Sequence, residues 1–405
     1  MSQTSLKQSL TKLGVALFIT YLSVAMALPV VSVFVNEMLK LPNWLGGGAV
    51  GISFVATILS RKYAGDFADG KSSKKCFLLG FFFYIIAALV CMVAAIGELS
   101  AAAALANLIA GRFLLGIGES MTMVGLLSWH FARLGPEHSG KILSVCGMAM
   151  YGAFVLGGPG GITLYNQFGF SSVMLMSAVF PVIGVIMFFN SPEIAPHKIT
   201  EAKKSFLHLL GTIWRQGLVV MLQGVGFAVL GAFISLYFKN QGWPYAGAGL
   251  SLFGIGFVLS RVLFGALPDK IGGIKVSFVS LAVESIGQSL LWLAPHYSLA
   301  LLGALFTGLG CSMIYPAMGV EVLKRVSPEQ RGSAFGGFAM FQDIAYAFSA
   351  PIAGILADAY SYPSTFLFGF ITAVFGMIIV LSMHIKNMAA GPNKSSDVIS
   401  NNTPL

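Results

Sequence analysis

Four ionisable side chains interrupt otherwise apolar stretches of this 405-residue chain: Arg112, Glu119, Glu284 and Asp343. Holding a charge in hydrocarbon costs about 3 kcal/mol or more, so groups kept there are functional candidates by default. A carboxyl in such a setting can gain and lose a proton as its surroundings change, and Glu119 and Asp343 are the candidates for that work. Glu119 follows Arg112 by two helical turns on one face. Arg112 therefore tunes a carboxyl, holds an anionic solute, or simply binds backbone carbonyls of a neighbouring helix. Glu119 and Asp343 have the same bland alternative, as internal hydrogen-bonding residues. Glu284 reads as support, with a partner such as a hydroxyl on a neighbouring helix.

The elements that must position these groups are membrane spans. A mean hydropathy of +0.83, with 56% hydrophobic and only 10% charged residues, excludes an ordinary soluble domain, where roughly a quarter of residues are charged. A spanning helix needs about 20 apolar residues. Twelve such runs occur, near 12–35, 46–64, 77–97, 103–129, 142–165, 172–190, 216–238, 246–266, 276–294, 298–322, 333–357 and 364–385. They are too long for barrel strands. The 48 glycines are spread through the runs, as expected where helices pack on small residues.

The formal net charge of +9 is topological. With both termini cytoplasmic, the basic residues fall inside or at the inner edge, except Lys40 and Lys239 outside and Arg112 within a span, which satisfies the positive-inside rule. No nucleic-acid partner is implied. The four cysteines show neither metal-ligand nor disulfide spacing and read as buried packing. Residues 191–215, with Pro192, Pro196, Lys198, Glu201, Lys203, Lys204 and Arg215, read as an inter-half linker with a short amphipathic segment on the inner surface. Residues 387–405 read as a disordered cytoplasmic tail.

The chain is a duplication. Ser60-Arg61 through Gly65 and Asp69 recurs as Ser260-Arg261 through Gly265 and Asp269, 200 positions on. A second correspondence, offset by 192 positions, matches Gly111, Gly116, Gly118, Ser120-Met121, Arg133, Pro136-Glu137 and Pro159 to Gly303, Gly308, Gly310, Ser312-Met313, Arg325, Pro328-Glu329 and Pro351. Six spans per half give both halves the same orientation, related by an axis along the membrane normal. The halves are 1–190 and 216–386. Each motif Asp lies at the cytoplasmic end of a helix, where a carboxylate can meet the positive start of another helix and a basic side chain. Gly65 and Gly265 would let helices approach closely there.

Gly65-x-x-x-Asp69 with Lys74-Lys75, and Gly265-x-Leu267-x-Asp269-Lys270-x-Gly272, resemble the loop signature of the major facilitator superfamily. Arg112-x-x-x-Gly116-x-Gly118 resembles its second signature, and Gly158-Pro159 with Gly161 partly resembles the motif of drug/proton antiporters. Ile162 and Thr163 stand where that motif has glycines, and Gly70 and Ser72 make the first loop copy degenerate. Within the superfamily the chain is most similar to bacterial arabinose-efflux-like permeases. The resemblance implies an all-α fold of twelve helices in two pseudo-symmetric halves, in a bacterial inner membrane, working as a monomer. It also implies that Arg61, Gly65, Asp69, Arg261, Gly265 and Asp269 form a cytoplasmic gate, with Asp69 facing Gly332 and Ser333, and Asp269 facing Gly140 and Lys141. Arg112 would stand in the position linked to proton transfer.

Spans 1, 4, 7 and 10 should line a cavity, and with the spans beside them they offer Tyr21, Gln223, Tyr151, Tyr315, Gln342 and Tyr346. Prolines 29, 159, 316 and 351 predict kinks. His130 and His138 lack a second metal ligand at useful spacing, and no nucleophile elbow, HExxH or Walker loop occurs, which argues against an enzyme or a self-contained ATP-driven pump. The expected function is secondary transport by alternating access: proton-coupled efflux of a small sugar-like, metabolite or drug-like solute, with no cofactor beyond a proton gradient. The alternatives are proton-coupled uptake and, outside transport, a transporter-like solute sensor.

Overall fold

A computed structural model describes residues 3–96, 99–135, 138–194, 206–327 and 330–389, almost all of them helical. Residues 136–137 and 328–329, the linker core 195–205 and the tail from 390 lie outside the described residues, as do the side chains at 332 and 333 expected to face Asp69. In lipid every backbone polar group must be satisfied within the chain, and apolar runs of this length do so as helices.

The helices are α1 Gln3–Val33, α2 Asn43–Gly70, α3 Ser73–Ile96, α4 Ala101–Leu134, α5 Ser139–Phe168, α6 Phe170–Phe189, α7 Phe206–Asn240, α8 Ala248–Phe264, α9 Leu267–Ile271, α10 Gly273–Trp292, α11 Tyr297–Leu323, α12 Arg331–Ala359 and α13 Tyr362–Ala389. A π-helical turn, Phe34–Met38, extends α1. Among the described residues eleven helices are long and apolar enough to cross a membrane, and α8, at 17 residues, is a shorter apolar helix. With α8 they account for the twelve expected runs. One face of the bundle carries the starts of α1, α3, α5, α7, α10 and α12, and is called here the terminal face; the other is the far face. The last part of the expected linker, from Phe206, is already helix and continuous with α7.

The two motif copies fold differently. Gly65 and Asp69 lie within the last turns of α2, which runs unbroken to Gly70. The second copy breaks after Phe264 and restarts as α9 with Pro268 in its first turn. Position 68, its counterpart, is Ala. Proline supplies no N–H and clashes with the carbonyl four residues back, so one helix continues where the other stops.

α1 and α7 are the most enclosed helices: 83% of the most apolar window of each is buried, against 56% or less for the other spans. That central position follows from glycine contacts on either side. A Cβ at Gly47 (α2) would overlap the Ala350 carbonyl of α12 and lie 2.8 Å from Pro351 N, and one at Gly247 would lie 2.5 Å from Pro159 Cα of α5. The two seams between halves, α2 with α12 and α5 with α8, thus close at the far face by backbone against backbone. The close approach expected at Gly65 and Gly265 is not made. A Cβ at Gly65, Gly140 or Gly336 would meet nothing within 4 Å, and at Gly265 it meets only the Arg261 carbonyl of its own segment. The physical reason is position, since these glycines lie toward the terminal face, where the seams part. Both α5 and α12 run as continuous helix through Pro159 and Pro351, which serve as the surfaces that receive the glycines.

Candidate functional site

Glu119 sits midway along α4, half-buried, and its Oε1 accepts a hydrogen bond from the Tyr21 hydroxyl of α1 at 2.5 Å. Arg112 points elsewhere. It is buried, and donates from Nε to the Ala49 carbonyl and from its terminal nitrogen to Ser53 Oγ, each at 3.2 Å, both on α2. Of the roles open to Arg112, holding a neighbouring helix's backbone is the one this geometry displays. Beside it, Ser23, Tyr84, Cys91, Met174 and Ser177 line a cavity of about 20 Å³, room for one water.

Asp343, on α12, forms an ion pair with Arg61 of α2. A residue assigned to the gate motif and a carboxylate assigned to proton coupling are therefore one contact across the two halves. The side chains are 30% and 12% exposed, so the pair is shielded from bulk water and each partner is needed to offset the other's burial. One turn away, Gln342 donates to the Tyr346 hydroxyl at 2.7 Å, and the Tyr346 and Tyr151 hydroxyls lie 3.0 Å apart across the halves.

Above these groups, toward the far face, aromatic rings from both halves meet. Tyr346 packs edge-on against Phe54 at 5.0 Å and Phe227 at 5.2 Å. Tyr151 stacks on Phe257 at 3.8 Å, and Phe227 contacts Phe154 and Phe253 at 5.4 and 5.2 Å. These rings join the two halves. Five of them, Phe54, Phe154, Phe227, Phe253 and Phe257, were not singled out from sequence, because phenylalanine in an apolar helix carries no polar mark. Gln223 is buried at the edge of this region and faces the Cys311 thiol. Tyr315 packs against Phe338 at 4.8 Å.

Glu284 is fully buried outside this constellation, on α10. Its oxygens meet no N–H or O–H donor among the described residues. Its neighbours are the Cys311 thiol and the bare Cα of Gly226, where any side chain would collide with Oε1. The hydroxyl partner expected for it is thus replaced by a thiol. Arg261, the counterpart of Arg61, donates to the Ser312 carbonyl at 2.7 Å within its own half. His130 is buried with Nδ1 2.8 Å from the Leu126 carbonyl, a helix-backbone contact. Among the described residues no group of three or more His, Cys, Asp or Glu could hold a metal ion.

The arrangement brings aromatic rings and hydroxyls of both halves together, with one carboxylate, Glu119 or Asp343, on each half. The family model of the Major Facilitator Superfamily matches residues 13–273 and 217–400. An uncharacterized MFS-type transporter of Salmonella typhimurium is 38% identical over 380 residues, 94% of this chain and 97% of the relative. One of Pseudomonas aeruginosa is 32% identical over 398 residues, 96% and 98% of the two chains. Among solved structures, a mutant of the nucleoside transporter NupG matches with a TM-score of 0.75 at 16% identity, covering 93% of this chain and 99% of that one. The human organic anion transporter MFSD10 matches at 0.69 and 17% identity, covering 92% and 99%. At that identity the structures bear on the fold alone, and the fold agrees with the sequence relatives. This chain belongs to the major facilitator superfamily, as a multi-pass membrane transporter of a small solute and not an enzyme.

Proposed function

We propose that the chain exports a small, largely uncharged organic solute in exchange for protons across a bacterial inner membrane, with both termini and the terminal face in the cytoplasm. The observation that carries this reading is the Arg61–Asp343 pair. Protonating Asp343 would remove the charge that holds Arg61, loosening one half from the other, and deprotonation would restore the tie. A carboxyl that binds a proton in one conformation and an arginine in the other couples proton movement to rocking of the halves. Glu119, held by Tyr21 on the N-terminal wall, is the second candidate proton acceptor. Engagement of Arg112 by Ala49 and Ser53 leaves that side chain unavailable to an anionic solute, which supports neutral solutes over anions. The positive-inside distribution supports the orientation, and halves of 1–190 and 216–386 joined by the linker support rocking as two bodies.

The test uses inverted vesicles holding the full chain, acidified inside, challenged with a panel of neutral organic compounds while internal pH is followed. Export coupled to protons predicts that a transported compound accumulates and alkalinises the lumen, and that Asp343→Asn and Glu119→Gln each abolish this in folded protein. Accumulation in right-side-out vesicles with an acidic exterior would instead establish uptake by symport. Solute flux equal with and without the pH gradient would reject coupling.

A further inference from the structure

The first backbone N–H groups of a helix have no partner within it and carry partial positive charge, and a residue just before the helix usually satisfies them. α2 lacks that arrangement. Its N-cap is Pro42, which makes no side-chain cap bond. The missing acceptor comes from the other half. Asp358, in the last turn of α12, accepts from the Asn43 backbone N–H at 2.9 Å, from the Asn43 side-chain amide at 2.8 Å and from the Trp44 N–H at 3.1 Å. Asn43 is held in turn, its Oδ1 accepting from the Tyr362 hydroxyl at 3.0 Å and the Asn36 amide at 3.2 Å. Gly354, one turn before Asp358, leaves no room for a side chain, since a Cβ there would lie 2.5 Å from Trp44 Cα.

We propose that Asp358 is a positioning residue of the transport cycle, capping α2 in trans and thereby setting how readily the far face opens. The cap exists only while the halves meet on this face. Opening must strip α2 of its acceptor and Asp358 of three donors, all charge-assisted by the carboxylate and two of them backbone N–H groups at the positive end of the helix. The nearby Lys239–Glu37 pair, at 2.8 Å, also joins the halves; Asp358 is exposed as well, so solvent screens both contacts, and the trans cap differs in engaging three donor groups of the other half. The proposal rests on alternating access, and is independent of the coupling ion and of the direction of transport.

The test reads accessibility and needs no substrate. All four native cysteines are buried, which gives a quiet background. Leu28→Cys reports on the far face, because Leu28 is 3% exposed and packs against Gly231 of the other half. Gly336→Cys reports on the terminal face, where a Cβ meets nothing within 4 Å. The full chain in vesicles is treated with a membrane-impermeant maleimide from each side. Asp358→Ala should raise far-face labelling about tenfold, the scale of losing one good cap, and Asp358→Asn by a smaller factor because its carbonyl still accepts. Labelling at position 336 should fall in both, as the population moves to the far-open state. Unchanged labelling at both reporters in Asp358→Asn would overturn the proposal. A rise at both reporters would do so too, since it would mean general loosening.

Discussion

The two seams between the halves share a steric plan and differ in charge. In both, a glycine at the start of a helix, Gly47 or Gly247, seats against a proline of the other half, Pro351 or Pro159. These pairs match across the duplication, at offsets of 200 and 192 positions. Along the α2–α12 seam, however, Arg61 crosses to Asp343 and Asp358 crosses to the start of α2. On the α5–α8 seam Arg261 stays with Ser312 of its own half, and the positions matching Asp343 and Asp358 are Tyr151 and Asn166. Duplication preserved the bearing surface twice, while among the described residues the ionic contacts of these seams gathered on one side. One seam is therefore suited to switching and the other to serving as its pivot.

That contrast can be broken most forcefully at Asp343. Asp343→Asn should reduce proton-driven transport tenfold or more, on the scale of a lost charged hydrogen bond, whereas Tyr151→Phe at the matched position should cost roughly threefold or less. Equal losses would erase the division of labour between seams. Next, Gly47→Val and Gly247→Val should each lower stability by about 1–3 kcal/mol through overpacking against backbone. Thermal unfolding in detergent should show both falling together, because the steric plan is shared. Arg61→Gln should then change maleimide accessibility at position 336, while Arg261→Gln should leave it unchanged and cost about 1 kcal/mol of stability for its lost carbonyl contact.

The smallest effect is expected away from both seams. Glu193 sits below the ordinary carboxylate range, chiefly because it accepts from the Ser72 hydroxyl and secondarily because of Lys75. A depressed folded value means that the contact is complete at neutral pH and is lost as pH falls through that value. Amide protection around 72–75, corrected for the pH dependence of intrinsic exchange, should fall on acidification, and Glu193→Gln should remove that step. The Lys75–Glu193 pair is 3.5 Å apart with both side chains more than half exposed, so salt should weaken it further.

The fold was legible because hydrophobic length and repetition are properties of the chain itself. Twelve runs and two matched offsets define spans, halves and their relation without any tertiary knowledge. Of the site, Glu119, Asp343, Tyr151, Gln342 and Tyr346 were legible as polar groups in apolar surroundings, and the structure gathers them on the inter-half space. What sequence could not supply was pairing. Arg61 read as a gate residue, and nothing in its spacing connects it to Asp343, 282 positions away. Asp358 falls one residue beyond the predicted eleventh run and was not singled out. Lys239 read only as a basic residue on the outside, and its partner Glu37 was not singled out until the fold set them together. The close contact of this conformation was missed for a related reason: Gly65 lies in a recognisable motif, while Gly47, which makes the contact, stands among three consecutive glycines with no polar signature.

The backbone-on-backbone closure at Gly47 and Gly247 has an electrical meaning. A carrier that works against an ion gradient must also be an insulator, and a seam filled by side chains that hop between rotamers offers transient gaps to water. Here carbonyl and Cα atoms meet where no Cβ fits, leaving no mobile filler to move aside. At these two points the far face is closed by fixed backbone, which would limit ion leak between one transport event and the next.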